Sequence, residues 1–225
     1  MHIEPGVVNG AKLLLSYGTA AGAAGYTAKL ALETLRTSSG AAFVARAVIA
    51  TVLTFVFFTV FPKFAVGVSE VHFILGSTLF LLFGAAPAAL GLAAGLLFQG
   101  VLFAPLDLPQ YFMNTTTLLV PLFAVSALAK RIIAPNTAYV DLTYAQALKL
   151  STAYQGGVVA WVAFWAVYGQ GFGAETLASV LAFGSAYMLV IIVEPVADLA
   201  VLAAAKRLNG VSASPLFTAR LTRAA

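Results

Sequence analysis

The chain has no cysteine and little charge. Without cysteine, disulfide bonds, thiolate metal sites and thiol catalysis are excluded, so any metal must be held by nitrogen and oxygen ligands. Charged residues make up 9% of the 225 residues, whereas they make up roughly 25% of an average soluble protein. No run of basic residues suggests a nucleic-acid partner. These shortages argue against a soluble enzyme of ordinary composition.

What the chain has instead is apolar sequence. Apolar residues account for 61% of it, and the mean hydropathy is +0.97. A helix needs about 20 mainly apolar residues to cross a bilayer, and seven stretches approach that length. They are roughly 9–32, 41–61, 66–84, 86–104, 112–132, 147–169 and 176–204. Because no polar block is large enough to fold separately, we predict an all-α, multi-pass membrane helix bundle forming a single domain over residues 1–225.

The basic residues predict the orientation of this bundle. Seven spans put the termini on opposite sides of the membrane, and Lys and Arg accumulate on the cytoplasmic side. With the N-terminus outside, only Lys12 and Lys63 fall on the exterior. Ten basic residues fall at or near the cytoplasmic side, namely Lys29, Arg36, Arg46, Lys130, Arg131, Lys149, Lys206, Arg207, Arg220 and Arg223. The N-terminus is therefore predicted to face outward from a cell membrane.

The first two residues, Met1 and His2, are candidates for binding a metal. A free α-amine, the amide nitrogen of His2 and its imidazole can close two fused chelate rings around a divalent ion. The chain opens without the basic and apolar regions of a cleaved signal, so we expect the amine to survive. A planar set of nitrogens suits nickel or copper(II). The only other histidine, His72, is the obvious fourth ligand, although His2 could be incidental and His72 a hydrogen-bonded core residue.

Three further polar residues fall at the level predicted for His72. Gln99 is interpreted as a hydrogen-bonding residue between helices, and with Asn114 it is a candidate for the outer shell of the metal site, where it would orient a ligand. Asn114 either caps the fifth helix or orients a ligating imidazole. Glu70 is two residues from His72, and on a helix such residues point about 200° apart. We therefore expect Glu70 to face away from His72.

Two acidic residues lie in the last predicted span, near its cytoplasmic end. Glu194 and Asp198 are four residues apart and so share one helix face, with Pro195 between them disturbing the helix. A role in gating or in coupling to a partner is one interpretation. Pairing with Lys206 or another inner basic residue is the other.

The sequence shows no catalytic constellation. It contains no glycine-rich nucleotide loop, no paired carboxylates at a plausible active-site depth and no nucleophile with a histidine partner. We therefore predict that the chain is not an enzyme and does not power transport by itself.

The opening residues Met1, His2 and Ile3 with Gly6, and the run 71–76 that contains His72, resemble the CbiM/NikM family. These proteins are the substrate-capturing membrane components of bacterial energy-coupling-factor importers for cobalt and nickel. Gln99 and the pair Met113–Asn114 resemble the family pattern more loosely. The resemblance implies a square-planar site formed by the Met1 amine, the His2 amide and imidazole nitrogens and the His72 imidazole. It also implies partners, a membrane coupling subunit and ATP-hydrolysing subunits, in the bacterial inner membrane.

Three functions follow from these observations. The first is a metal-capture component of an ATP-driven importer, with nickel or cobalt as the transported ion. The second is a membrane binding component for an organic solute such as a vitamin, in which His2 is incidental. The third is a structural subunit of a larger membrane complex that binds neither.

Overall fold

The computed structural model describes residues 2–208 and 214–223, so the predicted ligand Met1 lies outside the described residues. The architecture is helical with one small β-hairpin, which confirms the predicted all-α character. The strands are β1 (Phe64–Val66) and β2 (Ser69–Val71). The helices are α1 (Leu14–Leu35), α2 (Gly40–Thr59), α3 (Gly76–Phe83), α4 (Ala85–Phe103), α5 (Tyr111–Ile132), α6 (Tyr144–Gln170), α7 (Ala174–Met188) and α8 (Val190–Arg207).

Five helical stretches of the described chain are long and apolar enough to cross a membrane. They are α2, α4, the stretch Pro105–Ile132 that ends in α5, α6, and the stretch Ala174–Arg207 made of α7 and α8. Each coincides with a span predicted from hydropathy, so the chain is a multi-pass membrane protein. The predicted span 9–32 corresponds to a 3₁₀ turn at Gly10–Leu13 followed by most of α1.

The third predicted span, 66–84, is not a continuous helix. It contains strand β2, an extended segment and the short helix α3 of 8 residues. Gly67 and Leu75 have φ angles of 61° and 55°, so the chain turns sharply at both ends of the segment between them. All eight residues of α3 are buried. Irregular backbone is tolerated at membrane depth only where protein covers it, and here the surrounding helices do so.

Helix α3 lies inside the bundle, and glycines let its neighbours approach one another closely. A Cβ atom at Gly91 of α4 would lie 2.4 Å from the Cβ of Ala50 in α2. One at Gly95 would lie 2.6 Å from the Cβ of Thr54. Neither position can accept a larger residue without moving backbone, so α2 and α4 form a closely packed helix pair. Small residues generally allow such approach in membrane bundles.

The N-terminal segment is fixed against the hairpin like a short third strand. Ile3 forms an antiparallel bridge with Ser69, and the Glu70 amide donates to the His2 carbonyl over 3.1 Å. The Ser69 hydroxyl donates to the same carbonyl over 2.9 Å. Ile3 is buried at 1% exposure, so its side chain anchors the segment in the core. His2 is thereby held at the end of the bundle where the hairpin lies.

Candidate metal centre

The structure brings the two histidines of the chain together. The rings of His2 and His72 have centroids 5.1 Å apart, and the side chains are 3% and 1% exposed. Their contact is mediated by Glu70, whose Oε2 lies 2.8 Å from His2 Nδ1 and 2.8 Å from His72 Nε2. One ligand atom from each of these three residues lies within 4.8 Å of the others. Such a group could hold a metal ion.

The position of Glu70 contradicts the expectation that it faces away from His72. The expectation assumed a helix, but Glu70 lies in strand β2 and His72 directly follows that strand. Side chains two residues apart in an extended chain point to the same face. Glu70 and His72 therefore project toward the same site. Glu70 is a site residue that the helical interpretation missed.

Glu70 carries a negative charge at the centre of this site. Burial by itself raises the pKa of its carboxyl group, but hydrogen bonds with His2, His72 and Lys63 outweigh burial and hold the pKa well below its usual range. Lys63 Nζ lies 3.1 Å from Glu70 Oε1. Burial, together with the charges of Glu70 and Asp107, raises the pKa of nearby Glu4. This end of the bundle thus offers a concentration of carboxyl groups that favours a cation.

The two imidazole nitrogens converge on one point. His2 Nδ1 and His72 Nε2 each lie at hydrogen-bonding distance from the same carboxylate oxygen, so both are directed toward the volume which that oxygen occupies. A metal ion placed between them would bind both imidazole nitrogens, and these two bonds would replace the two hydrogen bonds to Glu70. Phe58 packs against both rings, with centroids 5.4 Å from that of His2 and 4.9 Å from that of His72. This apolar contact restricts both rings.

Gln99 contacts the other ring nitrogen of His2. Its Oε1 lies 3.1 Å from His2 Nε2, and the side chain is 2% exposed. An amide oxygen at that nitrogen accepts a hydrogen bond from Nε2–H, so Nδ1 is the nitrogen that can bind a metal once it gives up its hydrogen bond to Glu70. Gln99 therefore selects the tautomer that ligation through Nδ1 requires. This supports its predicted place in the outer shell of the site.

Replacing Gln99 with Met should weaken metal binding while preserving side-chain volume. Without the acceptor at Nε2, His2 loses the contact that fixes its tautomer, and such outer-shell changes cost about 10- to 100-fold in metal affinity. Calorimetric titration of purified protein with Co²⁺ measures this. Phe98→Met is the matched control, because the neighbouring side chain is 53% exposed on the outside of α4. Equal losses in both variants would contradict the role given to Gln99.

Asn114 holds the backbone of the N-terminal segment. Its Oδ1 accepts a hydrogen bond of 2.9 Å from the Ile3 amide. The capping interpretation is wrong, because α5 begins at Tyr111 and Asn114 lies inside its first turn, buried. Asn114 contacts the residue after His2 instead of an imidazole ring. It can therefore position His2 through the backbone.

Glu194 lies elsewhere, on α8, where it is buried with Asp198. The proposed pairing of these residues with Lys206 is wrong, since Lys206 Nζ contacts Asp141 Oδ1 at 2.5 Å. Glu194 instead contacts hydroxyl and amide groups of α3 and α6. These partners belong to a second polar cluster that is separate from the histidines.

Comparison with known proteins agrees with this geometry. The model of the CbiM family, described as the cobalt uptake substrate-specific transmembrane region, matches residues 2–210. No curated protein and no solved structure matches the chain. The match includes both histidines and the apolar helices between and beyond them. Transport of cobalt or nickel across a membrane is the activity that this family implies. The chain therefore belongs to the CbiM family and is a membrane component of cobalt or nickel uptake.

Proposed function

We propose that the chain captures Co²⁺ or Ni²⁺ at an outward-facing site and acts as the substrate-binding component of an ATP-driven importer. The observation that carries the proposal is the convergence of His2 Nδ1 and His72 Nε2 on one oxygen of Glu70. Two buried imidazoles rarely share a carboxylate oxygen for packing alone, because polar groups in a membrane bundle are costly. The cluster also stands at the end of the bundle where the N-terminus lies.

The proposed ligands are the Met1 amine, the His2 amide nitrogen, His2 Nδ1 and His72 Nε2. Ligation through Nδ1 closes a six-membered ring with the deprotonated amide, and the amine closes a second, five-membered ring. The four nitrogens then suit a planar ion. One deprotonated amide leaves a single positive charge on a divalent ion, which the Glu70 carboxylate neutralises. The proposal takes Met1 as the first residue of the mature protein, which the intact mass of purified protein checks.

The space at the site favours an ion over an organic solute. The cavity beside His2, Gln99 and Asn114 has a volume of about 10 Å³, which is about one water-sized sphere. Small-molecule sites are usually several hundred Å³. A vitamin would need the N-terminal segment to leave its place against β2. The solute-binding alternative therefore has no support at this location.

The helix directions favour an outward site and the seven predicted crossings. Of the described basic residues, Lys12 and Lys63 lie at the hairpin end, while the others lie toward the opposite helix ends, such as Arg46 early in α2 and Lys130 late in α5. Because basic residues accumulate on the cytoplasmic side, the hairpin end faces outward. Seven crossings result if α1 and the segment 72–83 each pass between the two ends. Part of the latter crossing is extended backbone.

The proposed importer also contains partner subunits. A capture component needs a source of energy for inward release, and the family resemblance supplies it through a membrane coupling subunit and ATP-hydrolysing subunits of the bacterial inner membrane. In this scheme the chain itself catalyses no reaction. Affinity order places Ni²⁺ above Co²⁺, so selection between them depends on geometry and metal supply. The family match favours cobalt as the transported substrate.

Calorimetric titration with Co²⁺ and with Ni²⁺ tests the capture function. We expect one ion to bind per chain, and His72→Gln to weaken binding by more than about 100-fold, because loss of an outer-shell contact alone costs about 10- to 100-fold and His72 is proposed as a ligand. Glutamine keeps a polar side chain of similar size, and thermal unfolding of both proteins checks that the bundle is intact. Binding that is unaffected by His72→Gln, or absent from the unaltered protein, would refute the proposed function.

A further inference from the structure

A second polar cluster lies inside the bundle around α8. The side chains of Glu194 and Asp198 are fully buried, and their hydrogen-bonding partners come from two other helices. Ser77 Oγ lies 3.0 Å from Glu194 Oε1 and 2.8 Å from Asp198 Oδ2. The remaining partners are Thr78 at Asp198, and Ser151, Gln155 and the backbone amide of Ser77 at Glu194. All these partners are uncharged hydroxyl or amide groups.

The single hydroxyl hydrogen of Ser77 serves two carboxyl groups. A serine hydroxyl donates one hydrogen bond, yet Ser77 Oγ lies at hydrogen-bonding distance from both Glu194 and Asp198. It donates fully to one of them. Its contact with the other is most favourable when that carboxyl group is protonated and donates to Ser77. The geometry therefore fits one proton bound by the pair.

Two unpartnered phenols lie beside Glu194. Tyr154 and Tyr187 are fully buried, and their hydroxyl groups have no hydrogen-bond partner within the part of the chain that the structure describes. Both phenols interact electrostatically with Glu194. The ring of Tyr154 packs against Gly76, the residue before Ser77, where an added Cβ would lie 2.1 Å from its Cζ. The two carboxyl groups thus have further uncharged hydroxyl groups beside them, which carry no charge to balance two carboxylates.

Gln155 adds a buried acceptor to this cluster. Its Nε2 donates to Glu194 Oε2 over 2.6 Å, while its Oε1 is buried and unpartnered among the described residues. The cluster therefore contains an acceptor that lacks a donor.

We propose that Glu194 and Asp198 form a proton-binding site and share one proton in this conformation. The site takes a proton from water, one carboxylate becomes a carboxylic acid, and its new O–H bond donates to Ser77. Two adjacent carboxylates inside a membrane are strongly unfavourable unless neutralised, and one proton removes half of their charge. The proton leaves when water reaches the pair, which requires α8 to separate from α3 or α6.

The polar groups that surround Glu194 and Asp198 come from three neighbouring helices. Helix α3 contributes Ser77 and Thr78, α6 contributes Ser151, Tyr154 and Gln155, and α7 contributes Tyr187. Within residues 2–208 and 214–223, the titratable neighbours are therefore the two tyrosines, which are neutral near pH 7. Beyond them, Asp141 is paired with Lys206. The proposal does not depend on metal binding at His2, since the cluster shares no residue with that site.

Infrared spectroscopy of the full-length protein in lipid tests the site. A protonated carboxyl group gives a C=O stretching band that carboxylates lack, and we expect one such band per chain at pH 7. Glu194→Gln and Asp198→Asn keep side-chain size, and each should remove or shift that band. Asp141→Asn, at an exposed carboxylate, is the control and should leave it unchanged.

Three results would overturn the proposal. One is the absence of a protonated carboxyl band at neutral pH. Another is a band that survives unchanged in both Glu194→Gln and Asp198→Asn. The third comes from adding Co²⁺ to the His72→Gln variant, where metal binding that removes the band would make the pair a metal site. The first two results do not bear on capture at His2, which the calorimetric titration of His72→Gln decides separately. In the third, loss of the band identifies metal retained by His72→Gln as bound at the acidic pair and not at His2.

Discussion

A Gly-Pro extension placed before Met1 should lower the affinity for Co²⁺ and Ni²⁺ by more than about 100-fold. The extension converts the α-amine into an amide that is no longer basic, and with it the His2 amide loses the neighbouring ligand that favours its deprotonation. Proline has no amide hydrogen, so the new terminal amine cannot join a fused chelate with His2, as it could after a single added residue. Loss of one outer-shell partner costs about 10- to 100-fold, and here two ligating nitrogens are affected together. Calorimetric titration of the native and extended proteins measures the difference.

The same extension distinguishes the chelate from a simpler site. If only His2, Glu70 and His72 held the ion, their side chains would remain in place and binding would survive the extension. The same two residues added after Ala225 control for the change in composition, and an intact mass measurement confirms that the native protein begins at Met1. Equal affinity of the native and extended proteins would disprove the terminal chelate while leaving a three-residue site possible.

Hydropathy was sufficient for most of the helices because long apolar stretches must satisfy their backbone groups internally. It failed between residues 64 and 75, where the chain is apolar yet forms a hairpin. The alternation Val66, Gly67, Val68, Ser69 around a glycine turn is typical of two short strands. Reading that stretch as a helix reversed the predicted direction of Glu70. The missed strand therefore accounts for the missed site residue.

The grouping of His2 with His72 could be predicted because topology puts both at one end of the bundle. The convergence of their nitrogens on Glu70 could not, since it depends on backbone bonds between residues 2–4 and 68–70. Likewise, the spacing of Glu194 and Asp198 predicted a shared face. It did not predict Ser77 as their common partner, which comes from a helix more than 100 residues earlier.

Gly169→Ala should displace the N-terminal segment and weaken metal binding. A Cβ at Gly169, near the end of α6, would lie 1.9 Å from the carbonyl oxygen of Val7. That oxygen belongs to backbone and cannot rotate away, so the segment that carries His2 must shift. Overpacking of this kind costs about 1–3 kcal/mol. We also expect at least the 10-fold loss of Co²⁺ affinity seen when the support of a metal ligand is lost.

Gly156→Ala is the matched control, because it lies in the same helix and an added Cβ there meets nothing within 4 Å. Alanine is the better helix former by about 1 kcal/mol, so this variant should be at least as stable as the unaltered protein and bind Co²⁺ equally well. Thermal unfolding and calorimetric titration of the two variants separate the effect of alanine on helix stability from its effect on the position of the N-terminal segment. If Gly169→Ala bound Co²⁺ as tightly as Gly156→Ala, the site would not depend on the packing of the N-terminal segment against α6. Since His2 is placed by that segment, such a result would count against His2 as a ligand.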